Sequence, residues 1–121
     1  MVEWMSQHLA WRRSIASRYR QELQKLSGLT HLDYREDRES AWWLFTALVE
    51  RREDFILALK SRDVPASVVH LGIDRNSIFG GSSEKLAQQR QFDQLQAALP
   101  IHAGLTDEDV ETVIGAVKAG W

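Results

Sequence analysis

Apolar residues return every three or four positions at the start of the chain. Trp4, His8, Trp11, Ile15, Tyr19, Leu23 and Leu26 fall on one stripe, the spacing of a single helical face. The pattern predicts a long N-terminal helix over residues 1–28, with Gly28 as its C-terminal cap. Arg12, Arg13, Arg18, Arg20 and Lys25 stand mostly off the stripe and read as a solvated face. A phosphate-contacting helix is the other reading, but the interleaved aromatics of a nucleic-acid surface are missing.

Residues 33–40 alternate in charge and read as an exposed connection. The run AWWLFTALV, residues 41–49, is continuously apolar, which predicts a strand buried on both faces, a buried helix being the alternative. Glu53 and Asp54 then suit the first turn of a helix whose apolar face is Phe55, Ile56 and Leu59. Pro65, which lacks a backbone donor, fits the first position of a strand continued by Ser67 to Leu71. A polar loop follows and closes on Gly80-Gly81, after which Ser82 or Ser83 can cap a helix running from Glu84 to Leu95. A short extended piece, AALPIH, leads into the last helix. There Thr106 is the N-cap, Asp109 stands at N3 as in a capping box, and Val110, Val113, Ile114 and Val117 share one face. Lys118 lies at the end of that helix and Gly120 just beyond.

Few and short strands exclude a closed barrel or a doubly wound sheet. The expected architecture is α+β: a small, mostly antiparallel three-stranded sheet packed with about four helices, one domain spanning residues 1–121.

Composition narrows the function classes. With 15 basic and 17 acidic side chains the net charge is −2, too weak a field to attract nucleic acid or an anionic membrane. The absence of cysteine excludes disulfides, thiolate zinc sites and cysteine nucleophiles. No apolar stretch suits a membrane span or secretory signal, so a cytoplasmic protein is the expectation. Five tryptophans are many for 121 residues. Trp4, Trp11, Trp42 and Trp43 stand where packing is expected, and a small interior is not expected to hold all of them, which points to an interface.

Candidate chemistry is sparse. The stretch FGGSS lacks the lysine and spacing of a phosphate loop. His8, His31, His70 and His102 show no metal-ligand spacing beyond the weak pair His70 and Asp74. Lys25, Lys60, Lys85 and Lys118 each read as exposed on helical segments, unlike a lysine tuned for Schiff-base chemistry. One stretch remains, VVHLGIDRNSIFGG, where His70, Asp74, Arg75 and Asn76 gather past the end of a strand. Arg75 could clamp a phosphate or carboxylate, while His70 and Asn76 could hydrogen-bond a ligand. Equally, Asp74 and Asn76 could make turn hydrogen bonds to their own backbone, with Arg75 solvated and His70 ending the strand.

Three stretches, RRSIASRYRQELQKLSGL, FILALKSRDVPASVVH and LPIHAGLTDEDVETVIGAVKAGW, resemble the C-terminal part of the DegT/DnrJ/StrS sugar aminotransferases. The resemblance covers nearly the whole chain and implies the small C-terminal domain of a fold-type I aminotransferase. These enzymes use pyridoxal phosphate, and in them the aldimine lysine, the aspartate facing the pyridine nitrogen and most of the phosphate cradle lie in a large N-terminal domain. No segment here matches the lysine motif, so no cofactor is expected of this chain itself. The resemblance places the loop of His70, Asp74, Arg75 and Asn76 near the edge of the active-site cleft.

The expected role is therefore a binding or assembly module without catalytic activity of its own. Trp4, Trp11, Ile15 and Trp42 are the candidate interface residues of a homodimer. Two alternatives stand beside it: one piece of a split aminotransferase completed by a separate large-domain chain, and a weak ligand-binding module for nucleotide sugars or pyridoxal phosphate. No nucleic-acid or membrane partner and no metal are expected.

Overall fold

The computed structural model describes residues 2–33, 36–37, 39–69, 78 and 87–121. Its elements run α1 (Val2–Glu22), β1 (Leu29–His31), β2 (Phe45–Val49), α2 (Arg52–Ser61), α3 (Ala87–Leu95), β3 (Gln96–Leu99) and α4 (Asp107–Lys118). The strands form an antiparallel sheet in the order β1-β2-β3. Leu29 stands opposite Val49 and Phe45 opposite Leu99, which fixes the register. The fold is thus the expected α+β arrangement, with one strand the periodicity did not reveal. β1 is three residues long, too short to alternate visibly.

α1 ends earlier than Gly28. Lys25, already in the left-handed region at φ 64°, turns the chain out of the helix. Gly28, at φ 84°, serves the entry to β1 instead: its carbonyl accepts from the Glu50 amide at 2.8 Å. A Cβ there would stand 3.1 Å from the Trp121 ring, so glycine also admits that close approach.

The run 41–49 is a strand only from Phe45 onward. Trp42 adopts φ 52°, and its amide donates to the Ser40 hydroxyl at 3.1 Å, a local turn that competes with extension. Phe45, Ala47 and Val49 then face the core while Thr46 is also buried, as expected of a central strand covered on both sides.

The core joins Ile15 and Tyr19 of α1, Leu23 just past its end, Phe55 and Leu59 of α2, Val110, Val113, Ile114 and Val117 of α4, and the inward residues of the sheet. Tyr19 meets Phe45 edge-on, with centroids 5.1 Å apart, and its hydroxyl donates to the Pro100 carbonyl at 2.7 Å. Burial raises that phenol well above its ordinary pKa, so it stays a neutral donor tying α1 to the connection before α4. α3 gives nothing to this cluster; its one buried residue is Asp93, whose carbonyl accepts from Arg52.

α4 forms as expected. The Thr106 hydroxyl accepts from the Asp109 amide at 3.1 Å, and the Asp109 carboxylate accepts from the Thr106 amide at 2.9 Å. Of the expected strand after Pro65 the structure has a single isolated bridge, in which Ser67 exchanges two backbone hydrogen bonds with Ala98, at 2.8 and 3.2 Å; residues 68 and 69 are not strand. Residues 70 and 71, and the serine caps expected at 82 and 83, lie outside the described residues.

Candidate functional site

His70, Asp74, Arg75 and Asn76 also lie outside the described residues. The structure does place the approach to them. Val64 is buried, Pro65 is exposed, and the Ser67–Ala98 bridge sets the chain along the free edge of β3.

Beside that edge are two shallow hollows. One, of about 260 Å³, lies between Trp43, Ser67 and the stretch Ala98–His102. The other, of about 270 Å³, shares Pro65, Pro100 and His102 and reaches Asp63, Asp109 and Thr112. His102 is the polar side chain common to both. Its Nδ1 accepts from the Gly104 amide at 3.1 Å, so the neutral ring carries its proton on Nε2. A Cβ on Gly104 would come within 3.2 Å of the ring, and glycine leaves that contact relaxed. Asp109 is engaged in the cap. Hydrogen bonds from the Thr106 backbone, then from its side chain, hold the carboxyl below its ordinary pKa. Trp43 is 71% exposed at the rim, contrary to the expectation that it packs inside. An indole, a serine hydroxyl and an imidazole around an open hollow can bind a ligand face. Sequence reasoning did not single out this surface, because Trp43 and His102 are far apart in the chain and meet only across the β3 edge.

A third hollow, of about 310 Å³, lies between Ser17, Arg20, Gln21, Gln24 and His31. His31 is half-buried against Phe45, and neither ring nitrogen finds a partner in hydrogen-bonding geometry. Burial, then the Arg20 guanidinium, holds its pKa below the usual histidine value, against a smaller opposing pull from the Leu23 backbone. Arg20 itself donates to the Leu32 carbonyl at 3.2 Å.

The four candidate interface residues separate. Ile15 is fully enclosed in the chain's own core. Trp42 is half-buried and stacks on Phe45 at 5.4 Å. Trp11 is half-buried, and its indole donates to the Leu105 carbonyl at 2.9 Å. Trp4 alone of the four is largely exposed, at 60%.

Of the four lysines, Lys85 lies outside the described residues and the other three are placed. Lys118 is engaged with Glu22 at 2.7 Å. Lys25 lies exposed past the end of α1 rather than on a helix, and Lys60 borders a hollow whose other walls are Asp63, Val64 and Pro65, without donors for a phosphate. Among the described residues no cluster of histidine and carboxylate suits a metal, and no helix is long and apolar enough to cross a membrane.

Comparison with known proteins gives this fold its family. The sequence profile of the DegT/DnrJ/EryC1/StrS aminotransferase family matches residues 2–118. The spore coat polysaccharide biosynthesis protein SpsC of Bacillus subtilis is 28% identical over 118 residues, which are 88% of this chain and 30% of SpsC. Among solved structures, the sugar aminotransferase CalS13 from Micromonospora echinospora superposes with a TM-score of 0.91 at 26% identity, over 96% of this chain and 31% of CalS13. The aminotransferase TlmJ from Streptoalloteichus hindustanus gives 0.85 at 27% identity, over 95% of this chain and 32% of TlmJ. The chain thus spans about a third of the length of these relatives, and over that span it belongs to the DegT/DnrJ/EryC1/StrS aminotransferase family.

Proposed function

We propose that this chain is a binding and assembly module built on part of a sugar-aminotransferase fold, carrying no transamination centre of its own. The observation that carries this reading is α1. Its apolar stripe is enclosed at Ile15, Tyr19 and Leu23, yet it continues outward to Trp4 and Met5, which are 60% and 63% exposed. Unburied aromatic surface of this kind marks a contact with another macromolecule. The exposed or ion-paired lysines described above agree with a role in binding. The experiment is a transamination assay of the purified chain with pyridoxal phosphate, an amino-acid donor and a keto-sugar. The expected result is no turnover and no new visible absorption from a lysine adduct; turnover would refute the reading.

The fidelity of the fold to CalS13 supports a second reading, in which the chain completes an aminotransferase with a separate lysine-bearing chain. Turnover that needs both chains together would favour it over the first.

A further inference from the structure

Ser17, Arg20 and Gln21 stand at steps of three and four on one face of α1, with Gln24 just past the helix end. Across from them His31, in the edge strand β1, closes the hollow of about 310 Å³ described above. Each of these lining side chains carries a hydrogen-bond donor, and none of them is acidic. Ser17, Gln21 and Gln24 are exposed and make no side-chain hydrogen bond with a described residue. Arg20 donates to the Leu32 carbonyl at 3.2 Å, which fixes its charge beside the hollow. His31 stands out. Both of its ring nitrogens are shut from solvent, yet neither has a partner in hydrogen-bonding geometry among the described residues. A buried polar group left unmatched is costly and calls for a partner.

We infer that this hollow binds a phosphate- or sulfate-type oxyanion, held between the Arg20 guanidinium and a protonated His31, with Ser17, Gln21 and Gln24 donating at the rim. Donors on several sides suit a tetrahedral group, whose oxygens point in different directions; a planar carboxylate offers two oxygens in one plane. The end of α1 works against an anion, because its last carbonyls carry about half a negative charge. A guanidinium and an imidazolium bring two full positive charges to the same place, and they prevail. The ring nitrogens are reached by displacing Gln21 or Gln24, which are exposed side chains with several free torsions. Without a ligand, burial and then Arg20 hold His31 neutral. β2, on its other side, presents Phe45 and Ala47, which carry no charge to offset Arg20. An oxyanion reverses that balance, so the anion and the proton are taken up together.

This site stands apart from the reading of the chain as an assembly module and survives or fails without it. The test follows the imidazole resonances of His31, His8 and His102 by NMR from about pH 5 to pH 8. It compares sodium sulfate, whose charge is constant over that range, with sodium chloride at equal ionic strength. In sulfate the His31 titration midpoint is expected to rise by about one pH unit, a roughly tenfold preference of the anion for the protonated ring. His8 and His102 do not line the hollow and should titrate alike in both salts. Arg20→Gln should abolish the difference. Because that change also removes the Leu32 contact, Gln24→Glu is the second variant: it sets a carboxylate at the exposed rim, repels the anion and leaves the core untouched. Circular dichroism checks that both variants are folded. A His31 midpoint equal in the two salts overturns the inference. So does a rise shared by all three histidines, which would mean an adventitious ion only, or a sulfate response that survives both variants. Phenyl phosphate as competitor then separates the sources: displacing sulfate at lower concentration supports an esterified phosphate as the ligand, and equal potency supports the free oxyanion.

Discussion

α4 and the first half of α1 are both helices with an apolar stripe, yet only α4 is covered by its own chain. In α4 every apolar position of the face, Val110, Val113, Ile114 and Val117, is enclosed. Both ends are also held. The capping box closes the start, and at the far end Arg62 donates to the Ala116 and Gly120 carbonyls while Lys118 binds Glu22. α1 reaches the same condition only in its second half and just past its end, where Ile15, Ala16, Tyr19 and then Leu23 have no exposure at all. Its first half carries Trp4 and Met5 into solvent. Periodicity thus specifies which side of a helix is apolar, while the size of the opposing sheet decides how much of that side is buried.

The sharpest way to break this contrast is a cavity on the covered side. Leu23→Ala is expected to lower unfolding stability by about 2–5 kcal/mol, read by urea denaturation, because the enclosed site cannot collapse fully. A loss below about 1 kcal/mol would mean the second half of α1 is not bound into the core as its burial implies. The next effect in size tests the ends rather than the face. Thr106→Ala removes the acceptor for the Asp109 amide and should cost about 1 kcal/mol in the same measurement.

These two sites also show what the sequence could reveal. The α4 cap was legible because its donors and acceptors lie within one turn, and the stripe of α1 was legible because a helix repeats regularly. β1 was not, since its partners in β2 lie across a connection and its pairing leaves no pattern in three residues. The late start of β2 was hidden for a related reason: AWWLF reads as continuous apolar sequence, and the left-handed Trp42 depends on the Ser40 hydroxyl. Of the candidate site, the sequence could name polar residues past the Ser67 strand but not the hollow beside it. Trp43 and His102 come together only when β2 and β3 pair.

The covered end of α1 also carries a titrating test. His31 packs beneath it, and its folded-state pKa lies below the ordinary histidine value of 6.5. The unfolded chain therefore takes up the proton first as pH falls. Stability should decline from about pH 6.5 down through the folded pKa, below which the loss is complete. The effect is modest because the ring is only half-buried, and His31→Leu should flatten the stability profile across this window. Asp109 acts in a separate range. Its lowered carboxyl contributes above its ordinary carboxylate pKa and is lost only as pH drops through the folded value. A profile equally steep in His31→Leu would assign the titration elsewhere.

The smallest effect sharpens the comparison most, because it is expected to be nearly nothing. Met5 lies in α1 and Leu23 directly after its last residue, but the Met5 side chain meets solvent instead of the core. Methionine and alanine are both good helix formers, so Met5→Ala leaves the helix itself almost unchanged. Removing an exposed side chain also creates no cavity. Urea denaturation at a concentration low enough to keep the chain monomeric should therefore shift by no more than about 0.5 kcal/mol. The result would place an apolar residue near the start of α1 and one just past its end at opposite ends of the stability scale, separated by what stands across from them. A loss comparable to that of Leu23→Ala would show that the first half of α1 is packed against its own chain in solution, and the exposed stripe would no longer be free for a partner.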